Sequence, residues 1–337
     1  MPLSTSSSNL DAARPSEPGG FTRGTWLLFA LTALLLTGVE LVSNYGFNRS
    51  TAIQRRTVSD IAEARRLRPA LPGQPATALF AGNSLIIQGI NVPRLRTELK
   101  SDVHLSLLRV ESTQYYDFYY GFENLFRYGM RPQYVILCQG PTYMVSSQIR
   151  GDYSARYLFD AKGILAYVRE TQMRRTEASS LLFAHFSAFY GGRREMRSYL
   201  LTRLIPGFFR MIKRFNYRPH SIPNDAEILR VLEVRLRALR DLCAQYGATF
   251  VYVIMPTRQA GEAATLEAGI RAGVPVLNPI HTFSLPKDYY SDDIHLNSKG
   301  AAVFSEALAA CLSKLVNSGL FFQTVCNSSN IEGGLTP

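Results

Sequence analysis

Residues 76–84, ATALFAGNS, point to the fold class. The apolar run 76–81 predicts a short buried strand, and Gly82-Asn83-Ser84 follows it directly. A serine there would lie on a strand-to-helix turn at the carboxyl end of a sheet, where open α/β folds bind ligands. The alternative is an ordinary turn in which Ser84 caps the next helix, because all three residue types favour turns and caps.

Further apolar runs alternate with helical patterns along the chain. Strands are predicted at 103–110, 134–138 and 249–255, and helices at 114–128 and 227–246. The second helix has a clear start, since Asn224 and Glu227 stand at capping-box spacing. Alternating strands and helices predict an α/β protein with a central parallel sheet.

A second polar motif lies near the end of the chain. Residues 289–302, YYSDDIHLNSKGAA, place Asp292 three residues before His295, ahead of a helix predicted to run to about residue 315. A serine hydroxyl becomes a nucleophile when an imidazole can take its proton and a carboxylate orients that imidazole. The alternatives are a helix-capping or surface histidine and a solvated acidic turn.

Taken together, the two motifs resemble the SGNH/GDSL hydrolases. Gly-x-Ser after the first strand and Asp-x-x-His-x-Asn before the last helix are similar to the first and last blocks of that family, over residues 76–315. The resemblance implies a flavodoxin-like three-layer α/β/α sandwich with Ser84, Asp292 and His295 as catalytic triad. Asn83 stands where the commoner Gly-Asp-Ser form has aspartate, which resembles the members that act on envelope polysaccharides.

The family's middle blocks are less regular here. Relatives generally have a glycine after the second strand and an asparagine after the third, both of which donate to the oxyanion. This chain has Glu111-Ser112-Thr113 and Gln139-Gly140-Pro141 at those places. We therefore expect the backbone N–H of Ser84, Thr113 or Ser112, and Gln139 to act as the oxyanion donors.

One transmembrane helix is predicted at 24–43. Residues 24–39, GTWLLFALTALLLTGV, are uncharged, and the apolar stretch reaches the length that spans a bilayer. No small-residue cleavage pattern follows, and Trp26 and Tyr45 flank it as interfacial aromatics, which favours a retained anchor over a signal peptide. Flanking arginines do not settle the orientation, whereas the family resemblance implies an extracytoplasmic catalytic domain.

The remaining segments complete a predicted domain plan. It comprises a disordered tail (1–22), the anchor (24–43), a helical stalk (47–75), an SGNH-like hydrolase domain (76–316) with a basic and aromatic helical insertion (151–220), and a C-terminal tail (317–337). The end of the insertion interleaves Arg203, Arg210 and Lys213 with apolar residues, as in a segment lying on a membrane or as in a solvated basic face. The aromatic run 115–126 fits either core packing or stacking on sugar rings.

Composition limits the other function classes. The net charge of +11 suits anionic lipid or an acidic glycan as well as nucleic acid, but no nucleic-acid-binding module is recognisable. The four cysteines show neither CxxC pairs nor metal spacing, and no phosphate loop or dinucleotide fingerprint is present, so no metal or cofactor is expected.

The sequence thus predicts a membrane-anchored SGNH-like serine esterase or O-acyltransferase. Its expected substrates are acyl esters, acetyl above all, of an envelope glycan or lipid, and the expected intermediate is an acyl-serine. The alternative is a non-catalytic assembly or binding component of a polysaccharide pathway that keeps the SGNH fold without a working oxyanion hole.

Overall fold

The computed structural model describes residues 22–208 and 223–318. The two predicted tails fall almost wholly outside these ranges. So does the end of the insertion, including Arg210 and Lys213. The last helix ends at Ser318, slightly beyond the predicted domain boundary at 316.

Five strands form one sheet. They are β1 (Ala76–Gly82), β2 (Val103–Arg109), β3 (Tyr134–Gln139), β4 (Thr249–Ile254) and β5 (Val276–Leu277). All neighbouring pairs are parallel, in the order β2-β1-β3-β4-β5. The predicted α/β class, parallel sheet and first four strands are confirmed. β5 was not predicted, because two residues are too short to show a hydrophobic period.

Helices flank the sheet. They are α1 (Arg23–Val42), α2 (Asn48–Ser50), α3 (Ala52–Arg66), α4 (Ser84–Gly89), α5 (Val92–Leu99), α6 (Tyr115–Arg127), α7 (Pro141–Val145), α8 (Asp152–Tyr157), α9 (Ala161–Glu170), α10 (Arg175–Phe186), α11 (Ala188–Leu204), α12 (Asp225–Gln245), α13 (Glu262–Ala272) and α14 (Ser298–Ser318). A π-helical turn, Ser43–Phe47, joins α1 to α2, and a 3₁₀ turn, Lys287–Tyr289, precedes α14.

Successive strand residues face two separate apolar clusters, one on each side of the sheet. In β1, Leu79 and Ala81 belong to the cluster that α3, α6 and α12 complete, whereas Ala78 and Phe80 belong to the cluster with α4, α5 and α14. Both faces of the sheet are therefore buried, which is why its strands are continuous apolar runs.

The aromatic run on α6 packs into the core. Tyr115, Tyr116, Phe118, Tyr120, Phe122 and Phe126 are all buried, and Tyr119 is partly buried against them. Of the two alternatives for this run, core packing is therefore the one that the structure shows.

The segment predicted as a stalk is part of the folded domain. α3 is helical as expected, but its Thr57, Asp60, Ile61 and Ala64 are buried against the body of the protein. Asp60 forms an ion pair with Arg109 at the end of β2. The many arginines of α3 indicated a helix surrounded by solvent. Its buried residues, however, recur at the helical period, so one side of the helix packs against the domain.

The N-terminal helix α1 is long and apolar enough to cross a membrane, and none of its most apolar window is buried by the rest of the protein. Thr22 caps its start by accepting a hydrogen bond from the N–H of Thr25. By length and composition the helix fits either a membrane anchor or a signal sequence.

Candidate active site

Ser84 is the first residue of α4 and follows the end of β1 by two residues. Asn83 caps the helix, since its Oδ1 accepts a hydrogen bond from the N–H of Leu85 at 2.9 Å. The helix is thus capped without the Ser84 hydroxyl, which remains free to bond elsewhere. The alternative in which Ser84 itself caps the helix is therefore wrong, because the capping residue is Asn83.

Gly82 permits the close approach of β1 and β3 at this turn. A Cβ atom there would lie 2.6 Å from the carbonyl oxygen of Cys138 and 2.9 Å from Cγ2 of Ile86. Real Cβ atoms essentially never come so close to a backbone oxygen, so a larger residue would push the strand end and Ser84 out of place.

The structure brings Ser84, His295 and Asp292 together in one chain of hydrogen bonds. Nε2 of His295 lies 2.9 Å from Oγ of Ser84, and its Nδ1 lies 2.9 Å from Oδ2 of Asp292. These distances are those of ordinary hydrogen bonds. The arrangement matches the requirement that a base reach the nucleophile while a carboxylate fixes the tautomer of that base.

The Asp292–His295 loop is held by its own backbone. Oδ1 of Asp292 accepts hydrogen bonds from the N–H groups of Ile294 at 2.9 Å and His295 at 2.8 Å. The N–H of Ser291 donates to the carbonyl of His295 at 2.8 Å. Asn297 then caps α14 by accepting hydrogen bonds from the N–H groups of Lys299 and Gly300. The short spacing of the motif therefore builds a closed turn that orients the imidazole.

The Asp292 carboxylate is stabilised in its charged form. Partial burial pushes its pKa upward, but hydrogen bonds from the side chain of His295 and from two backbone N–H groups outweigh that effect, so the pKa lies below its ordinary value. Asp292 is accordingly ionised at neutral pH, as the orienting partner of an imidazole should be.

The expected oxyanion donors lie close together, but some of their N–H and O–H groups already donate hydrogen bonds within the protein. The hydroxyl of Thr113 donates to the carbonyl of Val110 at 2.6 Å. Nε2 of Gln139 donates to the carbonyl of Thr113 at 3.3 Å, and so does Nδ2 of Asn83. The groups that could still contact an oxyanion are the second N–H of the Gln139 amide and the backbone N–H groups of Ser112 and Thr113. The backbone N–H of Ser84 is a further candidate, since it belongs to the first turn of α4.

Ser112 adopts a left-handed conformation, with φ of 57°. Such a φ is unusual for a residue other than glycine. It occurs in the loop where the resemblance leads one to expect a glycine, which is the residue type that adopts this conformation most readily.

Two side chains near the site were not anticipated from the sequence. Tyr143, on α7 after β3, has its pKa raised by burial and by the nearby negative charge of Asp292. Arg258, after β4, donates its backbone N–H to the carbonyl of Asp293 at 3.0 Å, and its guanidinium lies 5.9 Å from the ring centre of Tyr290. Tyr143 and Arg258 each follow the carboxyl end of a strand, and this position was the only feature of the sequence that could have indicated them.

No metal site is apparent in residues 22–208 and 223–318, where no three His, Cys, Asp or Glu side chains lie close enough to hold an ion. Cys138 and Cys243 are buried free thiols. Burial raises the pKa of the Cys138 and Cys243 thiols, so neither behaves as a reactive thiolate at neutral pH.

Comparison with known proteins adds no family assignment. No protein-family model matches the sequence, and no curated protein is significantly similar to it. The function must therefore be argued from the geometry of Ser84, His295 and Asp292.

Proposed function

We propose that this protein is a membrane-anchored, SGNH-like serine esterase or O-acyltransferase. The observation that carries the proposal is the unbroken hydrogen-bonded chain from Ser84 Oγ through the His295 imidazole to the Asp292 carboxylate. Nucleophilic catalysis by serine requires a nucleophile, a base and a group that orients the base, and these three side chains supply them in that order within hydrogen-bond distance.

The strand order supports the same assignment. The order β2-β1-β3-β4-β5 is that of flavodoxin-like α/β/α sandwiches, in which ligands bind where β1 and β3 lie side by side. Ser84 follows β1, and Gln139 ends β3. The proposed nucleophile and one proposed oxyanion donor thus flank the place where this architecture binds its ligands.

The proposed reaction uses two acyl transfers. Ser84 Oγ attacks the ester carbonyl while Nε2 of His295 takes the hydroxyl proton. The oxyanion is contacted by the N–H of Ser84 and the free N–H of Gln139. Collapse breaks the ester C–O bond, and His295 returns the proton to the leaving alcohol. His295 then deprotonates water or an acceptor hydroxyl, which attacks the carbonyl of acyl-Ser84. The bond from the acyl carbon to Ser84 Oγ breaks, His295 returns the proton to Oγ, and the acid or the new ester is released.

The membrane helix and the basic charge favour an envelope substrate. A retained α1 would keep the enzyme at a membrane surface, and the family resemblance favours an extracytoplasmic domain that acts on acyl groups, acetyl above all, of a glycan or lipid. A topology reporter fused to the C-terminus tests the side: the proposal requires the reporter signal of the extracytoplasmic compartment.

The catalytic proposal is tested by hydrolysis of an aryl acetate by the purified full chain in detergent. Ser84→Ala and His295→Ala should each lower kcat/KM by about 10³-fold or more, because the triad acts as a unit. Ser179→Ala and His104→Ala are matched controls at exposed positions away from the site and should retain the wild-type rate. Equal rates in all five proteins would refute the proposal.

A second candidate is the non-catalytic binding or assembly role. It is favoured by one observation, namely that the Thr113 hydroxyl and one Gln139 N–H are bonded within the protein. Under this alternative the wild type would show no triad-dependent turnover and would still bind an acylated glycan, and Ser84→Ala would bind it as well as the wild type does.

A further inference from the structure

The helical insertion forms a hairpin that is fastened to the membrane helix. Helices α10 and α11 meet at Gly191, where an added Cβ would lie 2.6 Å from the carbonyl of Ala184. The carboxylate of Glu40, near the end of α1, accepts hydrogen bonds from the hydroxyl of Ser187 and from the N–H of Ala188 at 2.7 Å. A negative charge is favourable at this point because it faces the positive end of the α11 dipole.

Helices α1 and α11 line an open apolar groove of about 620 Å³. Leu31, Leu35 and Val39 line it from α1, and Phe189 and Met196 line it from α11. Helix α11 also packs against the π-helical turn that follows α1. A Cβ atom on Gly192 would lie 3.3 Å from the ring of Phe47 in that turn. The apolar surface of α1 therefore continues directly onto α11.

The hairpin itself exposes large apolar side chains. Phe186 is 73% exposed and Leu204 is 74% exposed, and Phe183 and Leu200 are also exposed. Phe189, Met196, Leu200 and Leu204 recur at spacings of seven, four and four residues, so they lie along one side of α11. An apolar surface of this extent next to a membrane helix indicates a surface that something covers.

The charges around this surface favour anionic lipid over a second copy of the chain. Arg194, Arg197 and Arg203 on α11 are exposed, whereas Glu177 on α10 is paired with Arg174. A symmetric contact between two copies would bring the arginines of both α11 helices together, which is unfavourable. Lipid headgroups offer the opposite charge, and long arginine side chains can reach them while apolar neighbours insert.

We propose that the α10–α11 hairpin is a membrane-interface element that inserts Phe186 and Leu204 into the leaflet from which α1 emerges. The inference rests on the proposed role of α1 as a membrane anchor. Interfacial helices of this kind bury their apolar side about 5–10 Å into the boundary between headgroups and acyl chains. The hairpin would then give the domain a second contact with the bilayer beside α1 and so restrict the tilt of the domain.

Tryptophan fluorescence can test the insertion, because the chain contains a single tryptophan, Trp26. The full chain is reconstituted into vesicles of equimolar phosphatidylcholine and phosphatidylglycerol, with or without brominated acyl chains that quench nearby tryptophans. Phe186→Trp and Leu204→Trp are each made in a Trp26→Phe background. Val234→Trp in the same background is the matched control, because Val234 is 63% exposed on α12, outside the hairpin.

We expect brominated lipid to quench the emission of the Phe186→Trp and Leu204→Trp proteins at least about twofold, with little effect on Val234→Trp. Replacing phosphatidylglycerol by phosphatidylcholine, or adding Arg194→Gln and Arg197→Gln, should reduce the quenching at Leu204→Trp.

Quenching of native Trp26 shows whether α1 is inserted. If Trp26 is quenched while positions 186 and 204 behave like 234, the hairpin does not enter the membrane and the inference is wrong. A blue-shifted emission at 186 and 204 without quenching would mean that protein covers the surface, which also overturns it. If Trp26 itself escapes quenching, both the anchor and the hairpin proposals fail. None of these readouts depends on esterase activity.

Discussion

Asn83 uses both ends of a fully buried side-chain amide. Its Oδ1 caps α4 through the N–H of Leu85, and its Nδ2 donates to the carbonyl of Thr113. The residue thereby ties the turn that carries Ser84 to the loop after β2. A family-like aspartate could keep the cap but could not donate to Thr113.

Asn83→Asp should therefore destabilise the protein, although it creates the Gly-Asp-Ser sequence that is commoner in the family that the chain resembles. A buried carboxylate would face the Thr113 carbonyl without donating to it, and that carbonyl would keep only its hydrogen bond from Gln139, at a cost of about 1–3 kcal/mol. The measurement is the midpoint of denaturant unfolding of the full chain in detergent. Asn91→Asp is the control, since Asn91 caps α5 through Oδ1 at a partly exposed site. Equal stability of the two variants would contradict this account of Asn83.

At the scale of single residues, the sequence predicted that Ser84, Asp292 and His295 would meet, but not the hydrogen bonds of the expected oxyanion donors. Ser84 and the Asp292–His295 pair each belong to a short local motif, and strand order then brings the motifs together. The Thr113 hydroxyl and one N–H of the Gln139 amide donate to the backbone carbonyls of Val110 and Thr113. Such pairings depend on how three strand ends pack, which no local pattern encodes.

At the scale of elements, the start of α6 is organised by the buried carboxylate of Asp117. The carboxylate accepts hydrogen bonds from the N–H groups of Gln114 at 2.7 Å and Arg150 at 3.1 Å, and from the hydroxyl of Ser154. Burial nevertheless dominates and raises its pKa to about 6, from an ordinary value of 3.8. The folded state therefore holds this proton more tightly than the unfolded state does.

Asp117 should make stability fall as pH rises. Its contribution is fully present below pH 3.8 and is lost as pH rises through about 6, a change of about 3 kcal/mol. Asp117→Asn removes this titration and replaces one carboxylate oxygen by an NH₂ group that faces at least one of the three donors. The variant should therefore be less stable than wild type by an amount that shrinks between pH 4 and pH 6. Unfolding midpoints across that range provide the measurement, with Asp225→Asn, an exposed first-turn position, as control. A difference that stays constant or grows with pH would be inconsistent with the raised pKa.

The helix α3 is attached to β2 by a bidentate ion pair. Nε and Nη2 of Arg109 donate to the two carboxylate oxygens of Asp60 at 2.9 and 2.8 Å, and the Arg109 N–H donates to the same carboxylate at 3.1 Å. The carboxylate is largely buried, and its hydrogen bonds raise the pKa of the Arg109 guanidinium.

Asp60→Ala should cost about 3–5 kcal/mol of stability, because it leaves a partly buried guanidinium and a backbone N–H without their acceptor. Ser59→Ala, at an exposed position on the same helix, should change the unfolding midpoint little. If α3 were a solvated stalk, both variants would resemble wild type.

At the scale of the whole molecule, alternation of strands and helices was enough to predict the α/β class, and apolar length was enough to locate α1. β5 escaped notice because Val276–Leu277 has no measurable period. The packing of α3 was not predicted, because its composition is dominated by arginines and its buried side contacts β2, which lies far along the chain. Local patterns thus report which elements form, whereas the attachment of an element depends on partners far along the chain.

The central claim is that Ser84 is a nucleophile activated by His295. The most direct measurement is covalent labelling with a fluorophosphonate, read by intact mass and peptide mapping of the full chain in detergent. We predict one adduct per wild-type chain, on Ser84, no adduct in Ser84→Ala, and labelling slowed by about 10³-fold or more in His295→Ala. An unlabelled wild type, or equal labelling of wild type and Ser84→Ala, would contradict the claim.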